Sequence, residues 1–402
     1  MSASRLTLDS KITPYPYQED AIRAIISCLR REERTHLVMA CGTGKTSVAL
    51  WVAEGLKVSR IVVFVPSLAL INQLMSEWLS TTNWSTVNCL AICSDESVTR
   101  DTDSIVLNPD ECDFPVTTDA IKVHQFLTKK KAGITVVFCT YHSANVLAEG
   151  MKGLEPFEFG VFDEAHKTAG QNCFGLALTN DNIPIQKRLF MTATPRHYDI
   201  NHSGKAGDAR LVFSMDNEII YGKRAYTLSF RHAMELGMIV NYKVVISITE
   251  SKAKLAQDPD IEEKIVALQK AIQRIPTVSK IITFHKTIEE AYHFHKHIQD
   301  NEKIPHFRSL HVSSLIPSQM RKSAMQQFQG SKNAIVTNAR CLTEGIDAPA
   351  VDMVAFLNKK RSKIDIIQAI GRTLRKSPQK TYGYVFLPLF VQKPVIVRKV
   401  VA

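Results

Sequence analysis

The stretch Met39-Ala40-Cys41-Gly42-Thr43-Gly44-Lys45-Thr46 carries the residue types that hold a polyphosphate. Gly42 and Gly44, on either side of Thr43, let backbone N–H groups curl around an anion with no Cβ in the way. Lys45 offers a point charge to the β- and γ-phosphates, and the Thr46 hydroxyl can ligate Mg²⁺. Met39 stands where such loops usually open with Gly or Ala, but the core Gly-x-Gly-Lys-Thr is intact. Farther on, Phe159-Gly160-Val161-Phe162 delivers two adjacent carboxylates, Asp163 and Glu164, followed by Ala165 and His166. Hydrolysis of a phosphoanhydride needs one carboxylate to hold Mg²⁺ through water and another to orient the attacking water. Asp163 suits the first role and Glu164 the second. Gln18, in a rigid Pro14-Tyr15-Pro16 turn 27 residues before Lys45, can pair bidentately with the N6 and N7 edge of adenine. These residues together imply ATP and Mg²⁺.

A second set lies near the other end. Asp365 to Arg375 reads as a helix on which Gln368, Arg372 and Arg375 stand at i, i+4 and i+7, on one face. Such a face is either a set of surface ion pairs or a phosphate clamp, with Arg375 as an arginine finger on the γ-phosphate. Thr343-Glu344-Gly345-Ile346-Asp347 makes a tight polar turn before Pro349. Ser67 caps a helix after a strand, and Thr140 ends another strand; both places suit a phosphate, although Ser67 alone reads as a plain cap. From Lys359 to Ala402 there are eleven Lys or Arg against the single acid Asp365, and the whole chain carries +11. A local basic excess attracts polyanions, so nucleic acid is the implied partner class.

These groups must be positioned by an αβ alternation. Short β-branched runs at Arg60-Ile61-Val62-Val63-Phe64-Val65, Ile134 to Cys139, Phe159 to Phe162 and Lys187 to Met191 read as buried parallel strands between helical patterns. Residues 94–118, rich in acids and turn formers, read as a surface excursion. At 402 residues two hydrophobic cores are expected. The division is placed at 1–225 for the first domain, 226–240 for a linker, 241–390 for the second domain and 391–402 for a basic tail. The sequence lacks a run of about 18 apolar residues, so a cytoplasmic protein with no membrane contact is expected. Eight scattered cysteines without a Cys-x-x-Cys pair read as free thiols, and His293 with His297 reads as a solvated helix face.

Together the stretches resemble the motor of superfamily-2 helicases and translocases over nearly the whole chain. Gln18 matches the adenine-reading motif, Gly42 to Thr46 the Walker A loop, and Pro66 to Gln73 the first DNA-contacting motif. Asp163-Glu164-Ala165-His166 is similar to a DEAH-type Walker B, and Thr192-Ala193-Thr194 to the coupling motif, with His166, Thr192 and Thr194 as the coupling residues. Thr343 to Pro349 and Gln368 to Arg375 look like the fifth and sixth motifs of the second lobe. Within the superfamily the chain resembles the restriction-type branch, like the res subunit of type III restriction enzymes, in bacterial or phage members with a helicase-associated region. The resemblance implies an α/β fold of two tandem RecA-like domains, each a mostly parallel sheet flanked by helices. ATP would lie between the lobes, with Gly345 and Asp347 completing its site. It also implies a DNA helicase or translocase whose contacts from Ser67, Thr140 and Thr343 go to phosphates of duplex or branched DNA. An RNA-dependent ATPase and a non-hydrolysing binding remnant are the alternatives. Only thirteen residues precede Pro14 and 27 follow Arg375, so a bare motor is expected, with nuclease or modification functions left to partner subunits.

Overall fold

The computed structural model describes residues 12–93, 116–169, 175–200, 209–250, 260–300, 303–339, 351–358, 366, 369–371, 375–377 and 380–391. Two compact units divide the chain, with the break between Ala233 and Met234. The first unit alternates helix and strand. Its elements are α1 (Pro16–Leu29), β1 (Arg34–Met39), α2 (Lys45–Leu56), β2 (Arg60–Val65), α3 (Leu68–Thr81), β3 (Val87–Ile92) and β4 (Val116–Thr117). Then follow α4 (Ala120–Thr128), β5 (Ile134–Thr140), α5 (Ala144–Gly150), β6 (Phe157–Phe162), β7 (Ile185–Thr192), β8 (Arg196–Ile200), β9 (Ala209–Ser214), α6 (Glu218–Tyr221) and β10 (Lys223–Leu228), and α7 (Phe230–Glu235) contains the break. Eight strands pair in the order β10-β1-β7-β6-β2-β5-β3-β4, all parallel, while β8 and β9 form a separate antiparallel pair. Parallel strands need helices on both faces, so they are buried along their length: β1 and β2 each bury five residues in a row, all apolar in β2 and including Thr35 and His36 in β1.

Register places the functional ends together. Val38 of β1 lies beside Thr192 of β7, Phe162 of β6 beside Phe190 of β7, and Phe64 of β2 beside Phe162. The three phenylalanines form a ring ladder across those strands, with centroids 4.9 Å apart for Phe64–Phe162 and 4.6 Å for Phe162–Phe190. Each fully buried ring stabilises by about 1.5–3 kcal/mol, so the strand end just before Asp163 is among the best anchored points of the unit.

The second unit holds β11 (Asn241–Glu250), α8 (Ile261–Arg274), β12 (Lys280–Phe284), α9 (Ile288–Asp300), β13 (Arg308–His311), α10 (Ser318–Gly330), β14 (Ala334–Asn338), β15 (Met353–Phe356) and β16 (Tyr382–Val391). Its strands are parallel in the order β11-β16-β15-β12-β14-β13. Asp352 ties β12 to β15: its Oδ2 accepts from Ser279 N, Ser279 Oγ and Lys280 N at 2.8–2.9 Å. Both units are thus parallel sheets flanked by helices, the architecture of two tandem RecA-like domains.

The segment 226–240, expected as a linker, instead completes β10 and forms α7. β10 is an edge strand whose exposed Lys223, Arg224 and Thr227 hide its period in a polar run. It is held to β1 by Thr35 Oγ1 donating to Lys223 O at 2.7 Å and Ala40 N donating to Leu228 O at 2.9 Å. The Thr343 to Pro349 turn, Gln368, Arg372 and most of the basic tail lie outside the described residues. No helix among the described residues is long and apolar enough to cross a membrane.

Candidate active site

The loop after β1 is shaped by backbone that only glycine adopts freely. Gly42 and Gly44 both have φ of +79°, and Gly44 caps α2 in the left-handed region. A Cβ on Gly44 would stand 2.4 Å from Gln18 Nε2, so the close approach of α1 also requires glycine there. Within the loop Thr43 Oγ1 donates to Ala40 O at 2.7 Å, and Lys45 Nζ donates to Met39 O at 3.3 Å. Behind it, Trp78 Nε1 donates to Thr46 O at 3.0 Å and Ser47 Oγ donates to Glu77 Oε1 at 2.8 Å, fixing α2 against α3. Burial opposes the Lys45 charge, but Cys41, Glu164 and Asp163 outweigh it and raise the ammonium's pKa.

Gln18 is buried, and its amide is engaged: Oε1 accepts from Tyr15 N at 2.9 Å while Nε2 donates to Thr43 O at 3.1 Å. Tyr17 donates its phenolic proton to the same carbonyl at 3.0 Å. In this state α1 clamps the phosphate loop, and an adenine pairing with Gln18 would share the amide with Thr43. Tyr17 was not foreseen; its place beside Gln18 in a proline-led first turn was the available signal.

At the end of β6, Asp163 is 7% exposed, and its Oδ1 has no hydrogen-bond partner. Burial pushes its carboxyl up to about 7, and the Glu164 charge adds to this against the pull of Lys45. Burial would also raise Glu164, but the adjacent His166 and the Lys45 charge outweigh it and hold this carboxyl well below its ordinary range. The two neighbouring acids are therefore driven apart, the pattern expected of a pair with separate tasks. Glu164 has φ +47° and ψ +44°, a left-handed conformation that costs a non-glycine residue about 1–2 kcal/mol. Tyr141 donates to Asp163 O at 2.7 Å and steadies the turn from behind, a contact with no sequence signal.

His166 joins this strand end to the next. Its Nδ1 lies 3.3 Å from Glu164 Oε2 and 3.0 Å from Thr192 Oγ1. Thr192 Oγ1 in turn accepts from Thr194 N at 2.9 Å. The expected coupling residues His166, Thr192 and Thr194 thus form one buried chain with Glu164. Thr194 Oγ1 and Glu164 Oε2, like Asp163 Oδ1, are buried without a hydrogen-bond partner. Three such oxygens and a glycine cradle beside Lys45 fit a Mg²⁺–triphosphate held between the loop and β6.

One expected phosphate contact comes out differently, and the other is seen as the helix cap the sequence suggests. Thr140 is fully buried and its hydroxyl is paired with Ser143 at 2.8 Å, because the last residue of β5 still faces the core; in this structure it is no surface contact. Ser67 caps α3, its Oγ accepting from Leu70 N at 3.4 Å. In the second unit Arg375 is half-buried. His293 and His297 do not converge: each faces an acid instead, His293 3.7 Å from Glu289 and His297 3.4 Å from Glu262. Among the described residues no three His, Cys, Asp or Glu gather as a metal cage, and the described cysteines form no disulfide.

Comparison with known proteins extends this geometry. Residues 11–197 match the family model "Type III restriction enzyme, res subunit", and residues 263–377 match "Helicase conserved C-terminal domain". A "Probable helicase" of African swine fever virus is 29% identical over 93% of this chain and 41% of its own length. A DNA 3'-5' translocase of Sulfurisphaera tokodaii is 23% identical over 93% of this chain and 81% of its length. Among solved structures, the ATP-dependent Type ISP restriction-modification enzyme LlaBIII bound to DNA superposes with a TM-score of 0.84 at 28% identity, covering 96% of this chain and 28% of that one. The chain spans about 41% of the length of the viral relatives it matches.

Proposed function

From a chain that belongs to the restriction-type branch of the superfamily-2 helicase motors, we propose a nucleic-acid-stimulated ATPase that moves on DNA. The observation that carries this reading is the buried pair at the end of β6, with Asp163 Oδ1 open and Glu164 linked through His166 to Thr192. Lys45 neutralises phosphate charge, and the loop N–H groups orient the triphosphate. Thr46 and Asp163 would hold Mg²⁺, which when bound neutralises charge on the β- and γ-phosphate oxygens. Glu164 orients the attacking water and takes its proton. Its left-handed backbone aims the carboxylate, and His166, 3.3 Å from it and hydrogen-bonded to Thr192, ties that aim to β7. Any shift of β7 or Thr194 on the second unit's engagement would therefore move the base, which couples hydrolysis to movement.

Gln368, Arg372 and Arg375, with Gly345 and Asp347, are assigned to complete the ATP site from the second RecA-like domain, Arg375 as the finger. DNA is the inferred partner, supported by the relatives described as a DNA translocase and a DNA-bound restriction enzyme. Contacts from Ser67 and Thr343 to phosphates would be independent of sequence, with nuclease or modification functions in partner subunits or further domains. The deciding experiment measures ATP turnover with duplex DNA, single-stranded DNA and RNA side by side. Stimulation by DNA is expected, with binding that weakens at a log–log salt slope of about 0.9 per phosphate contact on duplex. Stimulation by RNA alone, or by neither polymer, would overturn the DNA reading.

A further inference from the structure

The second unit holds a cavity of about 860 Å³ that the hydrolytic site does not use. It opens at the free edge of the second sheet, over the terminal strand β13, between α9 and α10. Arg308 N and Val312 N donate towards β14, so alternation along a parallel strand turns the N–H and C=O groups of Ser309 and His311 to the open side. Three rings form one wall. Tyr292 meets His311 edge-on with centroids 5.6 Å apart, and His295 stacks on His311 at 6.1 Å and 27°. Hydrogen bonds fix both imidazoles: His295 Nδ1 pairs with Ser309 Oγ at 2.7 Å, and His311 Nδ1 with Thr337 Oγ1 at 2.9 Å. Burial lowers both histidines, His311 to about 4 with His295 adding to the effect, so near neutrality the wall is uncharged. Tyr292 remains 45% exposed, a ring with a free face. At the rim Arg308 donates to Gln327 Oε1 at 2.6 Å, and no lining residue is a carboxylate.

Neutral π-faces, one guanidinium, outward backbone donors and the absence of acids suit a planar ring that carries negative charge. We propose that this cavity binds a nucleotide unit, its base against Tyr292 and its phosphate on Arg308, as a contact separate from the hydrolytic site. As a contact to nucleic acid it rests on the partner assigned above; as a site for a free nucleotide it stands alone. The test uses the full chain and fluorescent single-stranded oligodeoxynucleotides, with a matched oligonucleotide of abasic sugars. Tyr292→Ala should weaken binding of the normal oligonucleotide about 10-fold, the scale of one lost base stack, while Tyr292→Phe binds as the parent does. On the abasic oligonucleotide parent and Tyr292→Ala should bind alike, and Arg308→Ala should weaken both. ATP turnover without DNA should be unchanged in these three variants. AMP binding to the Lys45→Ala protein, read by calorimetry, separates the sources: binding lost on adding Tyr292→Ala marks free nucleotide, whereas an oligonucleotide effect alone marks the polymer. If Tyr292→Ala changes neither oligonucleotide nor AMP binding, the inference is wrong, whatever the DNA-stimulated turnover shows. Protection of β13 amides by an unstructured polypeptide but by no nucleotide would reassign the edge to strand addition.

Discussion

A single dihedral angle marks the most consequential residue of the chain. Glu164 sits in left-handed backbone between a buried strand and a short turn. The strain is repaid by aim, since the carboxylate reaches His166 while Asp163, one residue earlier, keeps an oxygen open. Replacing Glu164 by Gln keeps shape and removes the base. Turnover should fall roughly 10²- to 10⁴-fold, with ATP affinity retained. Single-turnover hydrolysis beside equilibrium binding of a fluorescent ATP analogue measures both, and near-normal hydrolysis would remove Glu164 from its role.

Elements are held by contacts that tolerate little change. Gly222 has φ +70°, and a Cβ there would lie 2.1 Å from Arg34 O, because the turn into β10 presses on β1. Gly222→Ala should destabilise the first unit by about 1–3 kcal/mol from backbone strain, and by more if β10 detaches. Amide exchange along β1 and β10 reports it, and unchanged protection would show that the turn relaxes freely. In the second unit, Lys264 of α8 is buried against Glu290 of α9, with His285 3.9 Å from the same carboxylate. Burial alone would raise Glu290, but the nearby His285 and the ion pair with Lys264 prevail and hold it down to about 2. A carboxyl depressed in the folded state contributes stability above its unfolded value, near pH 4.3, and loses it as pH falls towards about 2. Glu290→Ala should therefore flatten the acid limb of stability between these values. At neutral pH it should cost about 3–5 kcal/mol by leaving Lys264 buried without its carboxylate. Urea unfolding read by exchange of α8 and α9 amides tests both, and an unchanged acid limb would remove Glu290 as its source.

For the whole molecule, the first unit holds loop, acids and coupling chain, yet its reaction is assigned to need arginines from the second. Arg375→Ala should cut turnover roughly 10³-fold while nucleotide affinity falls far less. Residues 1–233 alone should bind ATP and hydrolyse it no faster than that variant. Hydrolysis by this fragment at the full chain's rate would place the complete site within one unit.

The phosphate loop and the β6 acids were legible in the sequence because their chemistry is local: Gly42, Gly44, Lys45 and Thr46 are neighbours on the chain, and Asp163 and Glu164 follow an apolar strand. The parallel architecture was legible for the same reason, as the buried strands β2, β5 and β12 read as runs dominated by β-branched and aromatic residues, and β6 as an aromatic-rich one. Pairing across the sheet was not. That β10 returns to the edge beside β1 depends on backbone hydrogen bonds, which its polar side chains conceal. Whether Thr140 meets solvent or Ser143, whether Gln18 faces a ligand or the Thr43 carbonyl, and which ring lies open beside β13 are decided by contacts between residues distant in sequence. Residue type says what a side chain can do; only the packed neighbours decide which of those options remains.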